Sequence, residues 1–168
     1  GLEVAYHHGN YLDLDLSDTF DLIILIFGDF CPLGPGQRRS LLDDVKGWLN
    51  PGGRFLFDVS SEALFESLEE SSSCEEAPDG GFWSPAPHFV FTKRFKYTAD
   101  LAYLDRYLVV EAARQREFFN WIQCFRPSGL QEELKEAGWG VETVLGNVAG
   151  DPFDPGERFF AVIAEPDP

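Results

Sequence analysis

Gly28, Asp29 and Phe30 follow directly on an apolar run, and Asp58 closes a second one, so two carboxylates stand just past two apolar stretches. A carboxylate held there can take a proton from a hydroxyl or ammonium nucleophile, as can His88 or a tyrosine. Asp29 is the first choice for that base, and it can equally cap the turn or helix that follows. His7, His8 and His88 lack the spacing of metal ligands, and His7-His8 reads as a strand pair with one ring exposed. Cys31, Cys74 and Cys124 are odd in number and far apart, which points to neither a disulfide framework nor a zinc site. Cys31 follows a strand end where a nucleophile could sit, but no His/Asp partnership accompanies it, and a buried or half-buried thiol is expected. No metal is predicted.

The elements that must position these groups are legible in the pattern. Leu22 to Phe27 is unbroken, apolar and rich in β-branched residues, which predicts a strand buried on both faces, with Phe27 packed in the core. Leu41, Leu42, Val45, Trp48 and Leu49 recur at helical spacing, Pro51-Gly52-Gly53 stops that helix, and Arg54 to Val59 is extended again. Strand, helix and strand in that order imply a parallel sheet, whose ligands gather at the carboxyl ends of its strands. Ser128-Gly129-Leu130-Gln131 reads as a capping box opening a later helix, and Gly138 as its stop.

Between these parts lies an insert, residues 61–125. Glu62 to Glu70 has a short amphipathic pattern with Leu64, Phe65 and Leu68 on one side, whereas Ser71 to Gly81 is a loop by composition. His88 to Thr98, Leu101 to Ala112 and Gln115 to Phe125 alternate apolar with polar residues and predict three antiparallel strands. The insert is rich in aromatic residues, most of them expected to be core, with a few left to line a pocket.

Composition narrows the function classes. The chain has 168 residues, 44% of them hydrophobic, enough for one sizeable core, and residues 1–168 read as one domain. It opens on Gly1 and contains no Met, so position one is not expected to be a natural start. With 29 acidic against 13 basic residues the net charge is −16, which repels a phosphate backbone and excludes nucleic acid as the expected partner. Lys93, Arg94 and Lys96 are read as a solvated strand or loop face. No apolar run approaches the roughly 20 residues of a spanning helix and no signal-peptide pattern precedes the core, so no membrane partner is expected. The cysteines fit a reducing cytoplasm.

The order FDLIILIFGDF, then L-x-x-V-x-x-W-L-N-P-G-G-x-F-x-F-D, resembles the fourth strand, following helix and fifth strand of class I S-adenosylmethionine-dependent methyltransferases. FRPSGLQEELKEAGWGVETVLG resembles that family's last helix and the strand after it, and GERFFAVIAEP its closing antiparallel strand. The resemblance implies an α/β, Rossmann-like sheet with a cap placed before the last helix over the methyl-transfer site. It also implies S-adenosylmethionine as cofactor and a small molecule as methyl acceptor, with transfer by in-line displacement. On the family's pattern Asn10 and Tyr11 would lie beside the adenine, Phe27 and Phe30 would enclose the methionine part, and Gly28 would also touch the cofactor. Asp29, Phe30, Trp83, His88, Tyr97 and Trp121 would surround the acceptor. Asn10 and Tyr11 read as readily as an ordinary turn.

Two family features have no counterpart: the acidic-x-Gly-x-Gly-x-Gly loop after the first strand, and the acid that ends the second. Glu3 to His8 is expected to be the third strand. A partial sheet lacking its first two strands leaves the Leu22–Phe27 strand with an open edge, which predicts a homodimer or an exchanged segment there. A truncated, catalytically inactive methyltransferase-like module is the alternative reading. A Rossmann-like oxidoreductase suits the residues less, because it needs the same loop and a hydride-site set.

Overall fold

The computed structural model describes residues 3–14 and 16–167. Two parallel strands, β1 (Phe20–Leu25) and β2 (Leu49–Ser60), are joined by helix α1 (Pro35–Trp48). Pro35 begins the helix with its fixed φ, and the Gly34 N–H donates to Gln37 Oε1 at 2.9 Å. The helix stops at Trp48, and β2 already runs through Pro51-Gly52-Gly53, so the chain extends earlier than the glycine pair suggests.

After β2 come the short helix α2 (Glu62–Ser67) and a second sheet of four strands: β3 (Ser71–Ala77), β4 (His88–Tyr97), β5 (Ala102–Glu111) and β6 (Gln115–Gln123). Helix α3 (Pro127–Glu136) and strands β7 (Trp139–Leu145) and β8 (Phe159–Pro166) return the chain to the first sheet. Its order is β1-β2-β8-β7, with β8 antiparallel to both neighbours. The second sheet is an antiparallel meander, β3-β4-β5-β6.

The core lies on one face of the first sheet. Leu41, Leu42 and Val45 of α1 and Leu130 and Leu134 of α3 pack on Phe55, Phe57, Val59, Trp139 and Phe160. Arg38 rivets the two helices together: its guanidinium bonds both Glu133 oxygens (2.5 and 3.0 Å) and the Leu33 carbonyl (2.6 Å) while only 4% exposed. Gly138 takes φ +73° just past α3, a left-handed conformation that suits glycine, and thereby ends the helix as expected.

Several expectations are corrected. β1 is not buried on both faces. Ile23 and Leu25 stand beside Phe55 and Phe57 in register and pack against the core, but Leu22 and Ile24 are each 51% exposed. The run is apolar on both sides, while α1 and α3 cover only one. Glu3 to His8 forms no strand and is exposed, because no neighbouring backbone meets its N–H and C=O groups in a ladder.

Ser71–Ala77 is a strand, not a loop. Its Ser/Glu side chains suit an exposed edge, and backbone pairing with β4 decides its conformation. The cap sheet therefore has four strands where three were predicted. Helix α3 starts at Pro127 after Arg126, without a Ser128 capping box, since proline at the first position already fits the helical φ.

Candidate functional site

At the carboxyl end of β1 the chain makes two consecutive left-handed residues, Phe27 (φ 70°) and Gly28 (φ 71°). The conformation is costly for phenylalanine, and it turns the ring into solvent at 91% exposure, where core packing was expected. Asp58, at the end of β2, fixes the turn: its Oδ1 accepts from the Gly28 N–H at 2.8 Å. The Gly28 carbonyl accepts from the Cys31 N–H at 2.8 Å, so the backbone closes tightly around Asp29.

Tyr11 brings a second segment to this point. Its hydroxyl donates to the Asp29 carbonyl at 3.2 Å, and burial, then the Asp29 charge, raises its pKa above the ordinary tyrosine value. Asn10 caps the short 3₁₀ turn Tyr11–Asp13: Oδ1 accepts from the Leu12 N–H (3.2 Å) and Nδ2 donates to Asp13 Oδ2 (2.7 Å). Its amide is engaged in that turn. Asp29 itself is exposed, and its carbonyl, not its carboxylate, is the group Tyr11 holds.

The structure gathers Tyr11, Phe27, Gly28 and Asp29 at one strand end, with Asn10 alongside, and separates the acceptor candidates. Phe30 is fully buried, its ring 4.7 Å from Phe57 and 6.0 Å from Phe125, and so serves the core and not a pocket. The Tyr97 and Trp121 rings pack tilted against each other, centroids 5.0 Å apart, near the base of the cap. There a cavity of about 370 Å³ lies between Trp121, Ala102 and Gln123 on one side and Cys31, Pro32 and Leu33 on the other.

Trp83 and His88 are elsewhere. Trp83 packs on Tyr107 (4.8 Å) and Phe118 (5.0 Å), and buried His88 bonds the Ala86 carbonyl through Nδ1 at 2.8 Å. His88 begins β4 and Tyr97 ends it, and at about 3.3 Å per residue a strand of that length separates them by about 30 Å. Cys31 is buried, accepts from the Ser60 N–H through Sγ at 3.1 Å, and has its thiol pushed up to about 11 by burial, which fits the inert-thiol expectation. Among the described residues no His/Cys/Asp/Glu group is placed to hold a metal, and no helix is long and apolar enough to cross a membrane.

Sequence reasoning assigned no part to Arg38, although it stands at helical spacing from Leu41, Leu42 and Val45 on the buried stripe, which is the signal that would have found it. It also missed the holding role of Asp58. The basic cluster proves not to be a patch: Arg94 pairs with Asp105 and Lys96 reaches the Leu68 carbonyl, both from one face of the cap, while Lys93 lies over Phe95 on the other. Along the free edge of β1 an apolar groove of about 300 Å³ is lined by Tyr11, Leu14, Leu16, Leu22, Ile24 and Trp48.

No family model matches the sequence, and no curated protein does. Solved structures do match in fold. The CcbJ methyltransferase of Streptomyces caelestis superposes with a TM-score of 0.66 at 18% identity, over 95% of this chain and 62% of that one. An S-adenosylmethionine-dependent methyltransferase of Clostridium acetobutylicum gives 0.66 at 12%, over 95% and 63%. The S-adenosylmethionine-bound amino pentose methyltransferase CalS10 of Micromonospora echinaspora gives 0.51 at 20%, over 93% and 62%. The chain thus spans less than two thirds of each. By its strand order, its antiparallel β8 and these likenesses, the chain has the Rossmann-like fold of class I S-adenosylmethionine-dependent methyltransferases, in part, with a four-stranded antiparallel cap inserted before the last helix.

Proposed function

We propose that this chain forms the acceptor side of an S-adenosylmethionine-dependent methyltransferase acting on a small molecule. The observation that carries the reading is the end of β1, where Asp58 holds a left-handed Phe27-Gly28 turn open to solvent in a sheet of methyltransferase order. The residues present suit the cofactor's chemistry. Phe27 offers a free aromatic face that attracts a sulfonium, and Tyr11 a half-buried ring on which a flat base can pack. The Asn10 amide, engaged in its own turn, contributes less than the resemblance implies.

The cofactor supplies a methyl group on positively charged sulfur. What the chain's own residues do is orient and exclude water. Gly28 lets the backbone approach closely, and Asp29 presents a carboxylate able to take the acceptor's proton. Tyr97 and Trp121, over the cavity beside Cys31, form the apolar wall for the acceptor. Titration calorimetry with S-adenosylhomocysteine tests the reading: micromolar binding supports it, and no binding favours the inactive module.

Two further expectations belong to this proposal. Three free cysteines suit a reducing, cytoplasmic setting. The exposed edge of β1 suits a homodimer or exchanged segment, and light scattering that returns a monodisperse monomer would remove it.

A further inference from the structure

Asp58 has one oxygen more than the fold uses. Its Oδ1 accepts from the Gly28 N–H at 2.8 Å and so holds the left-handed turn at the end of β1. No donor among the described residues meets Oδ2. That atom is not sealed in either: Asp58 is half-buried, and the side-chain polar atoms enclosed without a partner among the described residues are Arg116 Nε and Trp139 Nε1. An ionised carboxylate accepts on both oxygens, so Oδ2 keeps its full accepting capacity.

Charge says what kind of donor suits it. Glu62, Asp105, Glu111 and Glu133 are buried or half-buried, and each meets an arginine. Asp58 forms no such ion pair among the described residues, although a carboxylate partly withdrawn from water is costly without a cation. On a chain of net charge −16 the surrounding field also favours a cation over an anion.

Place says which ligand. Strand β2 is paired on both sides, so it carries Asp58 rigidly to the strand end. Burial foremost, and the Asp58 charge among the lesser causes, raises the Cys31 thiol, and Cys31 lines the cavity whose other side is Trp121. Asp58 is thus within electrostatic reach of the acceptor cavity.

We propose, on the methyltransferase reading above, that Asp58 Oδ2 binds an ammonium group of the methyl acceptor, whose apolar part lies against Trp121. The acceptor is then a protonated amine, anchored by Asp58, with Asp29 left to take its proton. One carboxylate sets the Gly28 turn and orients the amine beside it, which ties the shape of the strand end to the ligand.

Asp58→Asn separates the two oxygens. Asparagine keeps a carbonyl oxygen for the Gly28 N–H and puts an NH2 where Oδ2 stood, so the turn survives and the ammonium is refused. Amide chemical-shift titration with phenethylammonium, and with phenethyl alcohol as its uncharged counterpart, is the measurement. The wild type is expected to bind the ammonium about tenfold more tightly, the weight of one charge-assisted hydrogen bond at a half-buried site, with the Gly28 and Cys31 amides shifting. Asp58→Asn should lose that preference and bind the alcohol as before. A wild type that does not bind the ammonium, or binds both probes equally, overturns the proposal, as does a preference that Asp58→Asn retains.

Should Asp58→Asn fail to fold, the carboxyl-carbon resonance of Asp58 in the wild type decides. It is expected to move with phenethylammonium and to stay with phenethyl alcohol, and a resonance unmoved by the ammonium overturns the proposal. Calorimetry with S-adenosylhomocysteine keeps the two readings apart. Cofactor binding without ammonium binding removes this proposal alone, and ammonium binding without cofactor binding removes the methyltransferase reading and leaves Asp58 an ammonium site. If Asp58→Asn weakens S-adenosylhomocysteine and leaves phenethylammonium unchanged, Oδ2 belongs to the cofactor's amino-acid end and the proposal is overturned.

Discussion

Phe27 combines a left-handed backbone with a nearly fully exposed ring, and both cost stability without return from packing. Phe27→Gly is therefore expected to raise unfolding stability by about 1 kcal/mol in urea titration, since glycine adopts positive φ freely. The same change removes the aromatic face from the proposed cofactor site. S-adenosylmethionine affinity should fall by roughly tenfold, the loss of one cation–π contact with its sulfonium, while affinity for S-adenosylhomocysteine, whose sulfur is uncharged, should fall less. A variant that is more stable and binds equally well would deny Phe27 any part in the site.

The thiols form a second residue-scale case. Burial pushes Cys31 up to about 11 and Cys124 up to about 12, from 9.0. Both stay protonated at pH 8, so a thiolate-specific reagent should titrate only exposed Cys74 in the native chain and all three cysteines after denaturation. Because the folded values are raised, the stability these thiols contribute is whole below pH 9 and is lost as pH rises through about 11 to 12. Alkaline unfolding followed by circular dichroism should show that loss.

Among the elements, α1 and α3 are held in place by Arg38 more than by propensity. Its fork meets Glu133 in a largely dry site beside the rings of Phe30 and Phe125. Arg38→Ala leaves that carboxylate without its cation and should destabilise by about 3 kcal/mol in urea titration, the lower end for a broken buried pair because Glu133 is itself 29% exposed. Arg38→Lys keeps the charge but not the fork and should recover only part of the loss. The stripe of Leu41, Leu42 and Val45 is plain in the sequence, and Arg38 shares it. An arginine on an apolar stripe becomes informative only when another element supplies the acid, and Glu133 is far along the chain. Strand β3 is a similar case, because Ser71–Ala77 looks like a loop until β4 offers it a ladder.

At the scale of the whole molecule, the outer side and free edge of β1 present apolar side chains to water. Amide exchange tests whether that edge is free. Along Phe20–Leu25 only one neighbour among the described residues, β2, supplies hydrogen bonds, so native-state exchange there should be faster than in β2, which is paired on both sides. Protection in β1 equal to that in β2 would mean that a further strand occupies the edge.

From residue order alone came the strand-helix-strand unit at Phe20–Ser60, the last helix with its stop at Gly138, and the placing of Gly28 and Asp29 at a strand end, while the closing antiparallel strand came from the family resemblance. These depend on local periodicity, on turn residues and on the rule that parallel strands deliver ligands to their carboxyl ends, all of which act within a short stretch of chain. Tertiary structure alone decided which side of each strand met a neighbour. It left half of β1 bare, turned Phe27 outward, buried Phe30, and split Trp83 and His88 from Tyr97 and Trp121. Alternation specifies two faces of a strand, but which of them is covered depends on elements distant in sequence and brought close only by folding.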